Sequence, residues 1–288
     1  MATEIPPFAQ DDKIPAVTIK HPWSSTEVVE RWRQGAARRA RSLGPATERM
    51  LDTAGLKSGQ RVLDLAAGTG DQTLLAARRV LPGGSVLAVD ISASMLEIAA
   101  ELAREAGLSN VETMVSDGST LELPAESFDA AICRLGLMFI ADLARALKTV
   151  RTALQSNARF AALVWSAPEK NPSMGIAIDV LREQRGLPSP PPPIVQAFSL
   201  SNPGALERAL VQAGFRNVHV EAVSVERRSA SMDEAMAALT TLVEILGELP
   251  QEERTPLEAE IRKRYGAYVQ PDGAVVLPGE AWLGSGQC

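Results

Sequence analysis

A short segment of small residues offers backbone donors for binding a ligand. Residues 62–71 read VLDLAAGTGD, a pattern that predicts a buried strand, a loop of small residues and the start of a helix. Small residues let the backbone approach a ligand closely, and the first turn of a helix has free N–H groups and a positive dipole end. These donors bind phosphates in nucleotide sites, and a carboxylate can use them as well. The segment therefore predicts a ligand-binding loop.

The loop departs from the dinucleotide motif G-x-G-x-x-G. Ala66 occupies the first glycine position, and Gln72 and Thr73 follow the loop where that motif continues. Each glycine of the motif has a geometric purpose in a dinucleotide site. Its absence counts against such a site.

A carboxylate closes the next predicted strand. Asp90 stands 26 positions after Asp64, at the end of VLAVD. It can accept hydrogen bonds from two neighbouring ribose hydroxyls, with Ile91 and Met95 as walls for an attached base. An aspartate at a strand end is also a common helix N-cap. The residue alone leaves both interpretations open.

Two later strand ends carry further polar groups. Asp117, followed by Gly118, can accept from an exocyclic amine of a base, although a turn is the commonest loop role of aspartate. Arg134 begins RLGLM after the fourth strand. Ligands in parallel sheets bind beyond the carboxyl ends of the strands, so Arg134, Gly136 and Met138 are placed to meet a substrate.

Repeating strand–helix units predict an α/β fold with a parallel sheet covered on both faces. The predicted strands are 61–65, 85–90, 111–115, 128–133 and 159–165. The helices between them are 70–81, 94–106 and 141–154. Later segments predict helices at 172–186, 203–213, 232–247 and 252–264, and strands at 217–227 and 273–284.

The N-terminal part predicts an extended arm over residues 1–22 and a helix that begins at a capping box, Ser24 to Glu27. Gly44 and Pro45 are expected to stop this helix, and a second one is expected to reach Ala54. Three parts are predicted: an arm with a lid helix at 1–44, a ligand-binding core at 45–165, and a C-terminal part of the same domain at 166–288.

The four strand-end elements, taken in order, resemble a known family. The segments VLDLAAGTGDQT, VLAVDISASMLEIA and NVETMVSDGSTLELPAESFDAAICRLGLMFI are similar to class I S-adenosylmethionine (SAM)-dependent methyltransferases, in particular to the ubiquinone/menaquinone C-methyltransferase-like group. The resemblance covers roughly residues 45–165. It implies a Rossmann-like sheet of seven strands whose last strand is antiparallel. The two late strands, separated by helices, predict a helical insertion before that last strand, and the N-terminal part is expected to form a helical lid.

The resemblance also implies roles for residues. Asp64 and Gly68 to Gly70 would line the methionine of SAM, Asp90 would hold the ribose, and Asp117 would bind the adenine. The expected cofactor-binding set is Asp64, Ala66, Gly68, Thr69, Gly70, Asp90, Ile91, Met95, Asp117, Gly118, Arg134 and Leu135.

The acceptor side is less clearly marked. Trp32, Met138, Trp165 and Trp282 are candidates for an apolar acceptor pocket, although each is more often plain core. Methyl transfer needs a base only for a nucleophile that arrives protonated. The chain has two histidines: His219 alternates within a strand and is expected at the sheet surface, while His21 lies in the arm. His21 and Arg134 are the candidate catalytic residues, with the arm as a lid.

Composition narrows the class of partner. The net charge of −6 argues against a nucleic-acid partner and leaves a small-molecule acceptor. Five arginines between residues 31 and 41 form a local exception, which is either a solvated helix face or a clamp for an anionic substrate. Two cysteines predict neither a disulfide framework nor a metal site and fit the cytoplasm. No apolar run reaches the length of a membrane span, and no signal peptide is visible.

The sequence leaves several alternatives open. An NAD(P)-dependent oxidoreductase would share the early strands, but a Tyr-x-x-x-Lys pair is missing. An RNA methyltransferase is disfavoured by the acidic charge. A non-catalytic SAM-binding regulator stays open, as do the acceptor, the type of atom methylated, and the oligomeric state, with a homodimer as one alternative.

Overall fold

The computed structural model describes residues 26–185, 196–239 and 251–288. The predicted arm, including His21, and the predicted cap Ser24 lie outside the described residues, as does the second half of the helix expected at 232–247. The helices are α1 (Thr26–Gln34), α2 (Ala36–Ala54), α3 (Asp71–Arg79), α4 (Ala93–Glu105), α5 (Leu143–Ala153), α6 (Pro172–Arg185), α7 (Ala205–Gln212), α8 (Met232–Ala237) and α9 (Gln251–Tyr265).

The strands form one large sheet and one small sheet. They are β1 (Arg61–Leu65), β2 (Ser85–Asp90), β3 (Val111–Val115), β4 (Phe128–Arg134), β5 (Leu154–Trp165), β6 (Arg216–Ser224), β7 (Arg227–Ser229), β8 (Val275–Leu277) and β9 (Glu280–Gln287). The large sheet has seven strands in the order β3-β2-β1-β4-β5-β9-β6, and β7 pairs with β8. Strand β9 runs antiparallel to both of its neighbours, which confirms the predicted fold class.

The parallel half of the sheet follows from apolar strands that helices cover. In β1, the four residues after Arg61 are buried, as expected for a central strand with both faces covered. Strand β1 pairs in parallel with β2 on one side and β4 on the other. The carboxyl ends of these strands, with Asp90 and Arg134 among them, therefore meet at one edge of the sheet.

Small residues allow close packing at β9. A Cβ on Gly284 would lie 2.5 Å from Leu206 Cδ2 of α7, and one on Gly286 would lie 2.7 Å from Phe215 Cβ. Both distances are shorter than real Cβ contacts, so only glycine lets these side chains lie against the strand. The close approach holds α7 against the antiparallel end of the sheet.

The predicted helix stop at Gly44 and Pro45 is wrong. Helix α2 runs through Pro45 to Ala54 and ends at Gly55, whose φ of 72° is left-handed. Proline in a helix interior removes one hydrogen bond. Here the cost is offset by burial, because Leu43, Ala46 and Met50 lie in the core against β4 and β5. The helix break occurs instead near Gly35, between α1 and α2.

The two late strands are shorter than predicted. The expected strand at 217–227 divides into β6 and β7, because the chain leaves the large sheet at Val225. The N–H of Val225 donates to Gly279 O at 2.8 Å, just before β9. The expected strand at 273–284 divides into β8 and β9 around Pro278, which has no N–H to donate. Strand β5 begins at Leu154, five residues earlier than expected.

The chain between β6 and β9 forms the predicted insertion before the last strand of the sheet. It contains β7, α8, α9 and β8, and α9 packs against α6. This arrangement places β7 and the end of α9 beside the carboxyl ends of β4 and β5. In the part of the chain that the structure describes, no helix is long and apolar enough to cross a membrane.

Candidate active site

A cavity of about 530 Å³ opens at the carboxyl ends of β1, β2 and β4 and extends toward α2, α6 and β7. Its position agrees with the rule that ligands bind beyond the strand ends of such sheets. Most of the predicted site residues line it: Trp32, Ala66, Gly68, Thr69, Asp90, Ile91, Met95, Asp117, Gly118, Arg134, Leu135 and Trp165.

Asp90 joins the loop after β1 to the start of α4. Gly68 N donates to Asp90 Oδ2 at 2.8 Å, and Ser92 N donates to Asp90 Oδ1 at 2.9 Å. The predicted alternative, an N-cap at Asp90, is not the geometry found, since Ser92 is the N-cap of α4. Burial raises the pKa of Asp90, while backbone hydrogen bonds oppose the shift. The carboxylate has about four lone-pair sites, so acceptor capacity remains for a ligand hydroxyl.

Gly68 faces open space in the cavity. Its φ is +57°, and among described residues the one heavy atom within 4 Å of an ideal Cβ is Met95 Sδ at 3.9 Å. A side chain at this position would enter the cavity between the loop and α4. Glycine therefore keeps room for a ligand directly above Asp90.

Two residues beside the cavity hold strained backbone conformations. Ala66 has φ 58° and Leu135 has φ 57°, in the left-handed region that non-glycine residues rarely adopt. Each costs on the order of 1 kcal/mol. Gly136 packs directly on Ala66, because a Cβ there would lie 2.3 Å from Ala66 Cβ. The loops that follow β1 and β4 are thus locked together where they line the cavity.

Asp117 serves a turn and also lines the cavity. Ser119 N donates to Asp117 Oδ1 at 2.8 Å, which is the turn role considered from the sequence. The second oxygen has no such bond to a described residue. Gly118 lies beneath Ile140, whose Cδ1 would be 2.9 Å from an added Cβ. The β3 end of the cavity therefore combines a carboxylate with an apolar wall.

Two members of the predicted cofactor set lie behind the cavity lining. Asp64 is fully buried, and it accepts from Thr73 Oγ1 at 2.6 Å and from Gln72 Nε2 at 3.1 Å. Burial raises the pKa of Asp64 to about 7, against the opposing effect of these two hydrogen bonds. Gly70 permits close packing of α3 on α4, because its Cβ would lie 2.8 Å from Ala99 Cβ. Both residues support the loop from below.

An ion-pair network links the N-terminal helices to the loop. Asp71 accepts from Arg39 Nε at 2.8 Å and from an Arg134 guanidinium nitrogen at 3.1 Å. Arg39 also donates to Thr69 Oγ1, and Arg134 to Thr47 Oγ1. Burial acts to raise the pKa of Asp71, but the hydrogen bonds and charges of Arg39 and Arg134 outweigh it and lower that pKa.

The arginine cluster therefore divides between two roles. Arg33 pairs with Glu101 and Arg41 with Glu234 on the exposed surface, as expected for a solvated helix face. Arg38 and Arg39 line the cavity. The sequence signal for them was present in the cluster of arginines, but it did not show which of them point inward.

Two expected pocket residues lie away from the cavity. Met138 is buried in the core, where its carbonyl accepts from Ser199 Oγ at 3.2 Å. Trp282 lies on β9, and its Nε1 donates to Ser201 O at 2.9 Å. Both positions face the packing between the sheet and its covering segments. Tyr265 and Arg227 line the cavity instead, and their sequence surroundings gave no signal for it.

Histidine does not contribute to the described cavity. His219 lies on β6 opposite Ser285 of β9, toward the far end of the sheet, as expected from its alternation. Arg134, the second catalytic candidate, is held by Asp71 and Thr47 and has no acceptor atom. It can fix charge and orientation beside a ligand but cannot take a proton. Among described residues, no group of three or more His, Cys, Asp or Glu side chains could hold a metal ion.

Comparison with known proteins relates part of this chain to a protein family and its architecture to a known fold. Residues 46–182 match the model of the ubiE/COQ5 methyltransferase family. The fold is that of the class I SAM-dependent methyltransferases. We refer to residues 46–182 as the methyltransferase-like core; it contains all of the loops at the ends of β1 to β4.

A curated relative also shows sequence similarity to a methyltransferase. The ubiquinone/menaquinone biosynthesis C-methyltransferase UbiE of Pasteurella multocida is 36% identical over 123 residues, which are 42% of this chain and 46% of that protein. The chain thus matches about half the length of this relative.

Solved structures share the fold over a larger part of the chain. A SAM-dependent methyltransferase from Aquifex aeolicus covers 70% of this chain and 94% of its own, with a TM-score of 0.53 and 23% identity. A putative methyltransferase from Bacillus halodurans covers 85% of this chain and 99% of its own, with a TM-score of 0.54 and 17% identity. The fold therefore extends beyond the methyltransferase-like core.

Proposed function

We propose that this protein is a SAM-dependent methyltransferase that acts on a small organic molecule. The observation that carries the proposal is the geometry of Asp90, which faces the cavity next to Gly68 and has unused acceptor capacity. A ribose diol would bind there, the adenine between Ile91, Met95 and Asp117, and the methionine along the loop of residues 66–69. The family match over 46–182 supports this assignment.

The residues present fit SAM. Gly68 leaves the room that a ribose needs. The hydrogen bond between Arg39 and Asp71 holds the loop before α3 in place. When bound, SAM supplies a methyl group already activated on a sulfonium. The chain's own task is then to align the acceptor with that methyl group and to exclude water. Trp32 and Trp165 cover the cavity from α1 and β5.

Arg134 acts in this proposal as a positioning residue. Its guanidinium is buried, which lowers its pKa, while the charge of Asp71 opposes the shift. It remains a donor, and it connects Asp71 to Thr47 of α2. We infer that Arg134 fixes the loop and the N-terminal helices around the cofactor rather than moving a proton.

The remaining sequence predictions stand as proposals. We keep a small-molecule acceptor in preference to a nucleic acid because of the net charge of −6. A cytoplasmic location is supported by two buried, unpaired cysteines. The division at residues 45 and 165 and a homodimer are also retained as predictions. The oxidoreductase and the non-catalytic SAM-binding protein gain no support from the comparisons.

The test compares two aspartates at opposite ends of the strands, Asp90 at the carboxyl end of β2 and Asp129 at the amino end of β4. Asp90→Ala is expected to weaken binding of S-adenosylhomocysteine at least about tenfold, because hydrogen bonds to a charged group are lost. Asp129→Ala is the matched control, since Asp129 also accepts a backbone N–H, from Arg61, but at the amino end of β4. Calorimetry would measure both affinities. Equal affinity of the two variants would refute the ribose assignment.

Catalysis requires a separate measurement. Incubation of the protein with SAM and candidate acceptors should form S-adenosylhomocysteine only when an acceptor is present. Binding of S-adenosylhomocysteine without turnover on any acceptor would indicate the non-catalytic alternative.

A further inference from the structure

The cavity continues past the proposed SAM position, and we call this further part of it the acceptor chamber. It lies between α2, the ends of β5 and α9, the start of α6 and the small sheet of β7 and β8. Its defining residues are Arg38, Trp165, Ser173, Arg227, Ser229 and Tyr265.

Arg227 brings a charged guanidinium into the acceptor chamber next to an aromatic ring. Its guanidinium lies 5.1 Å from the centroid of the Trp165 ring. Among described residues, no carboxylate forms an ion pair with it. The next residue, Arg228, differs because it pairs with Asp272 on the surface. A tryptophan face orients a cation without neutralising its charge or satisfying its N–H donors.

Burial of this guanidinium has a cost in the protein without an acceptor. Burial lowers the pKa of Arg227, and the charge of Arg38 adds to the effect, while Tyr265 opposes it. Tyr265 cannot neutralise the guanidinium, because its hydroxyl donates to Ser173 O at 2.6 Å and burial raises its pKa. Its oxygen remains an uncharged acceptor.

Among the described residues, the charge balance of this end of the cavity is positive. Arg39 and Arg134 share the single carboxylate of Asp71. Arg38 lines the same space, and no described carboxylate pairs with it. The other two carboxylates in the lining are Asp90 and Asp117, at the ends of β2 and β3, where SAM is proposed to bind. An excess of positive charge among the residues that line a cavity favours the binding of an anion.

We propose, resting on the proposed function, that the methyl acceptor carries a carboxylate or phosphate group and that Arg227 binds this group against the face of Trp165. The two anions share the chemistry that a guanidinium recognises, namely paired oxygens that accept parallel N–H donors. Trp165 and Tyr265 would flank the carbon skeleton next to the anion. The bound anion would thereby fix the distance of the acceptor from the methyl group.

The first experiment measures a preference for charge. Calorimetry with S-adenosylhomocysteine present would give the affinities of benzoate, phenyl phosphate and the neutral benzamide. At least one of the two anions is expected to bind about tenfold or more tightly than benzamide. Benzoate and phenyl phosphate distinguish a carboxylate site from a phosphate site. Equal affinities for all three probes, or no binding of either anion, would overturn the proposal.

The second experiment assigns the preference to one side chain. Arg227→Gln should remove the preference, and Arg227→Lys should keep part of it because the charge remains. Arg262→Gln is the control: Arg262 lies on the surface of α9, paired with Asp233, and should leave all affinities unchanged. A preference that survives in Arg227→Gln would overturn the proposal.

Two readouts separate this proposal from neighbouring explanations. A purely structural arginine would destabilise the protein when replaced, whereas Arg227→Gln should leave the melting temperature of the ligand-free protein unchanged or raise it. Affinity for S-adenosylhomocysteine should be unaffected in Arg227→Gln. If the wild-type protein does not bind S-adenosylhomocysteine, the proposed function fails, while the same three probes without it still decide whether the chamber binds anions.

Discussion

Arg39 of α2 and Asp71 at the start of α3 are joined by a 2.8 Å ion pair, although 32 positions separate them in the chain. Both side chains are largely buried, with 14% and 11% of their surface exposed. Through this pair, the N-terminal helices are fixed to the loop that lines the proposed cofactor site. Val28 and Val29 of α1 also pack on Met95 of α4, which adds an apolar contact between the N-terminal helices and the cavity lining.

The network around Asp71 makes unequal contributions to stability. Asp71→Asn is expected to lower the free energy of unfolding by about 3 kcal/mol, because it leaves the guanidiniums of Arg39 and Arg134 unpaired in a buried setting. Arg39→Gln should cost less, since Asp71 still has Arg134. Urea unfolding would measure both. The control is Arg33→Gln, which removes an exposed pair with Glu101 and should change stability by less than about 0.5 kcal/mol. A larger loss in Arg39→Gln than in Asp71→Asn would contradict this account.

Asp64 gives the stability a distinct dependence on pH. Its pKa is raised to about 7 in the folded protein, mainly by burial, from an unfolded value near 3.8. A raised carboxyl pKa means that the folded state holds the proton longer. The protonated Asp64 therefore makes its full contribution to the free energy of unfolding below the unfolded pKa. This contribution is lost as the pH rises toward 7.

Asp64→Asn tests this by removing the titration while keeping the shape. Between pH 5 and pH 8, the stability of the wild-type protein relative to Asp64→Asn should fall by on the order of 2 kcal/mol. The difference between the two proteins cancels groups such as Asp71, whose lowered pKa acts in the opposite direction. Denaturant titrations at several pH values would measure it. A constant difference over this range would show that Asp64 does not titrate there.

The strands of the methyltransferase-like core were predictable because their signal is local. The bounds of β1, β2 and β3 agree with the predicted ones, since each is a short segment with β-branched or other apolar residues that turn residues bound on both sides. The course of α2 was not predictable, because Pro45 is a local stop signal that the burial of Leu43 and Met50 overrides. Local preference is a weak guide where tertiary packing decides.

The two ends of the cavity also differ in whether a local sequence signal or tertiary packing determines their residues. Gly68 lies in the loop after β1 and Asp90 is the last residue of β2, so the parallel pairing of these two strands brings them together. The acceptor chamber depends on Arg227 and Tyr265, which reach Trp165 only because the chain leaves the sheet after β6 and returns through α9. No spacing in the sequence encodes that contact. Most of the residues that line the cavity at the ends of β1 to β4 could therefore be predicted from the sequence, whereas the acceptor chamber required the structure.

The contact between Gly136 and Ala66 provides a prediction in which one substitution corrects another. A Cβ on Gly136 would lie 2.3 Å from Ala66 Cβ, whereas its next neighbours are Cys133 Sγ at 3.2 Å and Ala66 Cα at 3.7 Å. Gly136→Ala should therefore destabilise the protein by about 2 kcal/mol, in the range for overpacking a closed core. Ala66→Gly alone should be neutral or slightly stabilising, because residue 66 has a positive φ that glycine adopts without strain.

The double variant Ala66→Gly/Gly136→Ala should recover most of the stability lost in Gly136→Ala, because the clashing Cβ of residue 66 is gone. The two effects are thus strongly non-additive, as expected for side chains in direct contact. Gly118→Ala is the matched control at another cavity glycine: its Cβ would meet the flexible end of Ile140, and Ala66→Gly should not alter its cost. Thermal or urea unfolding of the four proteins of the cycle would measure the coupling. Additive costs in the double variant would mean that the loops after β1 and β4 are not locked together at this contact.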